Sequence, residues 1–428
     1  MVIFWFRRDL RLIDNIALYS ALNENNDVQP IFIFDENILN KLENKFDARV
    51  NFIYNQLVEI NKYLIKEGGR LLVLSGKPIE VFKDLLRKNR IEKVYVNDDY
   101  EPYAVKRDAE IEKFLKSENV EFIVKKDAVI FHKNDILKSD NTPYTVFTPY
   151  SKKWKLALDT CNLKEYPSQN LFKNIVKTKP IEIEKLEIYG FSQKKYLYPD
   201  KEINIEIIRN YNKTRDYPAI AGTSKLSLHL RFGTISIRNL VSIANENSEV
   251  YLNELIWREF YMMIIWHYPE TIDKEFKSRY RFIKWRNNEH EFKAWCEGKT
   301  GYPIVDAGMR ELNQTGFMHN RLRMITASFL TKHLLIDWRW GESYFAKKLL
   351  DYEQASNVGG WQWAASTGCD AVPYFRIFNP DSQTKKFDPN FEYINKWLPE
   401  FKESKDYCKP IVDYNFGRQR ALSAFKDI

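Results

Sequence analysis

Over the first 130 residues, short apolar runs alternate with helical patterns. The apolar runs at 2–6, 30–34, 70–74, 93–97 and 121–125 read as strands. Between them, 15–22, 48–66, 79–88 and 103–117 carry apolar residues at helical spacing. Strands alternating with helices predict a doubly wound parallel sheet, with helices on both faces and ligands at the carboxyl ends of the strands. No G-x-G-x-x-G follows the first strand, so a dinucleotide site of the Rossmann kind is not expected. Residues 131–200 show weak periodicity, many Lys and several Pro. They are predicted to form a long connector over the surface, anchored at Thr148, Pro149, Tyr150 and Trp154. From about 201 onward the patterns are helical, with 252–266 and 320–335 as examples. The expected organisation is an α/β domain over 1–130, a connector over 131–200 and an all-α domain over 201–428.

Composition narrows the function classes. The net charge of +8 permits a nucleic-acid partner without requiring one. Cys161, Cys296, Cys369 and Cys408 are scattered, with no CxxC pair and no Cys/His cluster, which points to a reducing compartment and no metal site. The apolar start precedes Arg7 and Arg8, the wrong order for a signal peptide. No apolar stretch reaches about 18 residues, so no membrane span is expected and the protein is assigned to the cytoplasm, as a monomer. Aromatic residues make up 15%, and nine of the eleven Trp lie at or after Trp257. The stretch NVGGWQWAASTG at 357–368 sets two indoles two residues apart. If it is helical, Trp361 and Trp363 point about 200° apart, one inward and one outward. Aromatic groups that join a buried site to a surface suit electron transfer or base stacking.

Several strings together resemble the photolyase/cryptochrome family: FWFRRDLR at 4–11, GTSKLS at 222–227, NELIWREFY at 253–261, GKTGYP at 298–303, MHNRLRM at 318–324, and the GGWQW segment. They keep the family's order from residue 2 to about residue 425. Within the family the chain is most similar to a class I cyclobutane pyrimidine dimer DNA photolyase. The 6-4 photolyases carry a His pair where this sequence has His319-Asn320. Blue-light receptors of the cryptochrome type often carry a long tail, and Asp or Cys where this sequence has Asn357. The resemblance implies an all-α domain that binds a U-shaped FAD, an antenna pigment near the α/β domain, and damaged DNA containing pyrimidine dimers as partner.

The resemblance also implies roles for residues. Thr223, Ser224, Lys225, Leu226 and Ser227 would hold the FAD diphosphate; hydroxyls and backbone amides near a helix start suit an anion. Tyr211 and Tyr251 would contact FAD, with Tyr352 and Glu353 beside them in sequence to Asp351. Asp351 and Arg323 would pair beside the isoalloxazine ring, and Asn357 would face its N5. An amide cannot ionise, and its carbonyl accepts a hydrogen bond from a protonated nitrogen, which favours reduced flavin. Glu254, Trp257, Asn320 and Met324 would line the lesion pocket, with Trp363 as the opposite wall. Glu254, protonated in a dry pocket, would donate to a dimer carbonyl that gains charge. Arg215, Arg258, Arg321 and Arg376 are candidates for phosphate contact. Trp361, Trp338 and Trp285 match a chain of indoles from flavin to surface. Glu101 matches a pterin-contact carboxylate, and the antenna stays open between a folate, such as methenyltetrahydrofolate, and a deazaflavin.

Overall fold

A computed structural model describes residues 1–403, 407–426 and 428. Two compact units emerge: Met1–Asp135, Leu158–Ile203 and Lys225–Ile243 form one, and Ile136–Ala157, Asn204–Ser224 and Ala244–Ile428 form the other.

The first unit is built on a five-stranded parallel sheet of order β3-β2-β1-β4-β5, with β1 at Val2–Phe6, β2 at Val28–Asp35, β3 at Leu72–Gly76, β4 at Lys93–Asn97 and β5 at Glu121–Lys125. β1 runs in register with β2 from Val2↔Val28 to Phe6↔Phe32 and with β4 from Val2↔Lys93. Side chains alternate across a strand. Ile3 and Trp5 therefore join Ile31, Ile33, Val94 and Val96 in one core. Phe4 and Phe6 pack against each other edge to face, as Phe32 and Phe34 do. Burial on both faces explains why β1 and residues 30–34 of β2 read as unbroken apolar runs. The crossovers are helices α1 (Ile16–Glu24), α2 (Ala48–Lys66), α3 (Pro78–Lys88) and α4 (Pro102–Ser117). Asn15 and Asp47 cap the first two through their side chains, and Pro78 and Pro102 open the others, where a missing N–H costs nothing.

At the carboxyl ends of β1 and β4, where the strand order reverses, polar side chains knit together. Asn97 Nδ2 donates to Asp9 Oδ2 at 2.5 Å and to Asn15 Oδ1 at 2.8 Å. Arg11 grips both oxygens of Asp127 at 2.7 Å, and Arg238 reaches the same carboxylate at 3.0 Å. Burial acts to raise the Asp127 carboxyl, but the two guanidinium groups outweigh it and its pKa is lowered.

The stretch 131–200 is shared between both units. It holds a helix that weak periodicity did not reveal, α5 at Phe147–Asp159. Its buried positions Tyr150, Trp154 and Leu158 recur every four residues, but the turns between are largely polar, so the apolar stripe is one residue wide.

The second unit is helical. Its elements include α6 (Ile205–Thr214), α7 (Glu249–His267), α8 (Asn320–Ser328), α9 (Trp338–Lys348), α10 (Gln354–Ala365) and α11 (Tyr414–Lys426). α10 packs against α7, α8 and α9. Two glycines permit this closeness. A Cβ on Gly341 of α9 would lie 2.1 Å from the Trp361 ring, and one on Gly359 of α10 would lie 2.2 Å from the Tyr261 ring of α7. α10 ends where Ser366 turns to φ 69°, and the N–H groups of Thr367 and Gly368 bond back to Gln362 O. The helix expected over 320–335 is α-helical only to Ser328 and then widens into a π turn at Phe329–His333. Thr326 and Thr331 donate their hydroxyls to the carbonyls of Leu322 and Ala327, the local competition that perturbs helical bonding. No helix among the described residues is long and apolar enough to cross a membrane.

Candidate functional site

Three helices carry much of the chemistry implied by the sequence, α7 and α8 each packing on α10. α7 presents Glu254 and Trp257, α8 presents Asn320, Arg323 and Met324, and α10 presents Asn357, Trp361 and Trp363. Ser248 caps α7 by accepting from Tyr251 N, and His319 Nδ1 caps α8 by accepting from Arg321 N at 3.1 Å. Glu254, Trp257, Met324 and Trp363 are half-buried and Asn320 is exposed, so all five reach the surface.

The charges on and beside these helices are paired. Arg215 Nη1 lies 2.6 Å from Glu254 Oε1. Burial pushes the Glu254 carboxyl up, and Arg215 pulls against that rise. Arg258 pairs with Glu353 at 3.4 Å. Arg321 meets Asp216 at 2.5 Å and lies over the Phe387 ring at 4.2 Å. Arg323 holds both oxygens of Asp351, at 3.1 and 2.9 Å, and donates Nε to Met318 O. Arg376 is exposed. Tyr211 and Tyr251 meet edge to face at 5.0 Å, and the Tyr251 hydroxyl lies 2.8 Å from Ser224 Oγ. Burial pushes the Tyr251 phenol up to about 12.

Asn357 is oriented by a residue that sequence reasoning missed. Its Nδ2 donates to Glu342 O at 3.1 Å and to Glu342 Oε1 at 2.9 Å. A main-chain oxygen only accepts, so the amide nitrogen must face Glu342 and the carbonyl oxygen of Asn357 points elsewhere. Burial raises the Glu342 carboxyl, against hydrogen bonds from Asn357 and Tyr352.

The indoles grade from inside to outside. Trp361 and Trp338 are buried, while Trp285 and Trp363 are half-buried. Trp361 and Trp363 thus differ as helical geometry predicts. Trp361 packs edge-on against Phe345 at 4.9 Å and Trp295 at 6.0 Å. Trp338 donates Nε1 to Glu275 Oε1 at 3.3 Å, and Arg339 joins the same carboxylate at 2.8 Å.

Residues 251–405 match the family model described as the FAD binding domain of DNA photolyase, and residues 2–169 match the one described as DNA photolyase. A deoxyribodipyrimidine photo-lyase of Alkalihalophilus pseudofirmus is 36% identical, covering 99% of this chain and 97% of that protein. The chain belongs to the DNA photolyase family. Among solved structures, a bacterial class III photolyase from Agrobacterium tumefaciens superposes with a TM-score of 0.87 at 32% identity, over 100% of this chain and 97% of that one. An archaeal photolyase from Sulfolobus tokodaii, described with two FAD molecules, superposes at 0.81 and 35% identity over all of both chains.

The photolyase FAD-binding domain thus lies in the helical unit. The residues there fit a flavin: a neutral amide with a fixed acceptor oxygen, a guanidinium held by Asp351, and tyrosines kept protonated by burial. Of the run implied for the diphosphate, Thr223 and Ser224 close a segment of the helical unit, and Lys225, Leu226 and Ser227 open a segment of the α/β unit. Lys225 takes φ 53°, and Ser227 starts a six-residue helix. Glu101 lies in the α/β unit, paired with Arg231 at 2.8 Å and Arg8 at 3.3 Å. Glu342, Glu275 and Asp216 had no sequence signal. Each acts on a residue at least 15 positions away, and no local pattern marks it.

Proposed function

We propose that this photolyase reverses cyclobutane pyrimidine dimers in DNA under blue light, with Glu254, Trp257, Asn320, Met324 and Trp363 receiving the extruded lesion. The observation that carries this reading is their placement on three packed helices that also bear Asn357 and Trp361, within a chain similar over its whole length to deoxyribodipyrimidine photo-lyases. Held by these residues and reduced, FAD would supply one-electron chemistry for opening the cyclobutane ring, with the electron returning at the end.

The protein's own part is positioning and charge. Trp257 and Trp363 offer flat apolar walls, which suit a base taken out of the stack. Glu254, once Arg215 leaves it for a DNA phosphate, is the group that takes up a proton and hydrogen-bonds a dimer carbonyl as charge gathers there. Glu342 fixes the Asn357 amide so that its oxygen would accept from an N–H of a bound flavin ring. Arg323 and Asp351 set a fixed dipole beside the ring. Arg215, Arg258, Arg321 and Arg376 supply cationic charge toward the phosphates, and three of them are already oriented by carboxylates. Trp361, Trp338 and Trp285 form the route by which an oxidised flavin is refilled in light, with Glu275 favouring positive charge on the middle indole. Thr223 to Ser227 hold the diphosphate. A second chromophore, a folate or a deazaflavin, serves as antenna, with Glu101 its contact in the α/β unit. The protein works as a monomer in the cytoplasm.

The test is repair of defined oligonucleotides by reduced protein. Dimer-bearing strands should be restored in blue light and untouched in darkness, while strands bearing 6-4 lesions should stay damaged in both. Repair of the 6-4 lesion, or none of either, would overturn the reading.

A further inference from the structure

The Trp257 ring does not stand alone. Phe147, the first residue of α5, lies parallel to it, with ring centroids 3.8 Å apart and planes 3° from parallel. Phe260 meets Trp257 edge-on at 5.6 Å, and Tyr261 leans against it at 5.4 Å. Contacts beyond this ring pair also hold Phe147 in place. Its main-chain N–H donates to Asp370 Oδ2 at 3.1 Å. Tyr150, one turn on, packs on Phe260 at 5.2 Å. Trp154, two turns on, donates Nε1 to Glu259 Oε1 at 2.7 Å and is fully buried. α5 is thus laid along α7 through positions 147, 150 and 154 of one face, with its start pinned from the loop that follows α10. Asp370 itself sits at φ 44°, a conformation that costs free energy for a residue with a Cβ and persists only where its surroundings enforce it.

We propose that Phe147 is a positioning residue for lesion recognition: it covers one face of Trp257 and, through Asp370, ties that wall to the helix bearing Trp363. The inference rests on the proposed assignment of Trp257 and Trp363 to the lesion pocket. Phe147, stacked on one face of Trp257, fixes the plane of the indole. Undamaged DNA, held by its phosphates, does not use that plane. A flipped dimer does.

The test uses the FAD-loaded protein and compares affinity for a dimer-bearing oligonucleotide with affinity for the same strand undamaged. Phe147→Leu keeps apolar volume but removes the ring. It should weaken lesion binding roughly three- to tenfold, the scale of one aromatic pair, and leave undamaged binding as it was. Phe147→Tyr should restore the lesion affinity. Asp370→Ala should move it in the same direction as Phe147→Leu. In a Trp257→Ala background Phe147→Leu should add nothing, because its effect passes through that indole. Flavin content and photoreduction rate report whether the fold survives, and both should be unchanged. Lesion affinity that is unaltered or tighter in Phe147→Leu, while Trp257→Ala weakens it, overturns this inference alone. Lesion affinity unaltered in Trp257→Ala overturns the pocket assignment on which it rests.

Discussion

The Gly359-Gly360 pair gives a prediction in which two neighbouring substitutions have opposite signs. Both residues lie inside α10, where glycine costs about 0.5–1 kcal/mol relative to alanine. A Cβ on Gly360 meets nothing within 4 Å. Gly360→Ala should therefore stabilise by about 0.5–1 kcal/mol through backbone entropy alone. A Cβ on Gly359 would fall 2.2, 2.4 and 2.7 Å from three carbons of the Tyr261 ring. That ring packs against Trp257 at 5.4 Å and Phe260 at 5.8 Å, which resist its displacement. Overpacking of this kind costs about 1–3 kcal/mol, more than the helical gain. Gly359→Ala should be destabilising by about 0.5–2 kcal/mol net. For a cooperative unit of this size, 1 kcal/mol moves the melting temperature by about 2–4 °C. Thermal unfolding followed by ellipticity and by flavin release, at matched FAD concentration, separates the two. Shifts of the same sign, or a Gly359→Ala protein as stable as the parent, would refute the close approach of α10 to α7.

Other outcomes can be checked on the same protein. His333 is fully buried, with neither ring nitrogen hydrogen-bonded among the described residues, and burial with Arg420 nearby lowers its pKa from 6.5 to about 4. A histidine depressed in the fold leaves stability intact above pH 6.5 and drains it as the pH falls toward 4, here by about 3 kcal/mol. His333→Phe should flatten that acid slope in denaturant titrations, and an unchanged slope would contradict the assignment. Trp338→Phe should slow photoreduction of oxidised flavin and spare repair by protein already reduced; a joint fall of both would rule out the indole route. Trp363→Ala should weaken lesion binding by about 1–3 kcal/mol, the scale of one stacking platform, and unchanged affinity would remove it from the pocket.

Much of the fold is written locally. Each strand of the sheet announces itself as an apolar run, and α2 was bounded correctly because Asp47, a helical stripe and Gly68 mark its two ends. The inward and outward placement of Trp361 and Trp363 follows from helical geometry once the segment is taken as helical. What escaped is set by partners far along the chain. α5 hides behind its lysines because it buries a narrow stripe. Phe147 reads as an ordinary residue of a polar stretch until Trp257, 110 positions later, is brought against it. The arginines near the motifs read as free cations, yet Asp216, Glu254 and Glu353 already hold three of them. Their strength toward phosphate therefore reflects an exchange between carboxylate and DNA, and binding should weaken as salt rises.

In the proposed reaction the electron lent to the dimer comes back to the flavin. The direct measurement is a single light flash on fully reduced protein saturated with a dimer-bearing oligonucleotide, counting restored thymines and the flavin's redox state afterwards. Thymines should be restored, none of them in an unflashed control, and the flavin should remain fully reduced. Flavin oxidised one-for-one with thymines restored, or repair without the flash, would contradict the proposed reaction.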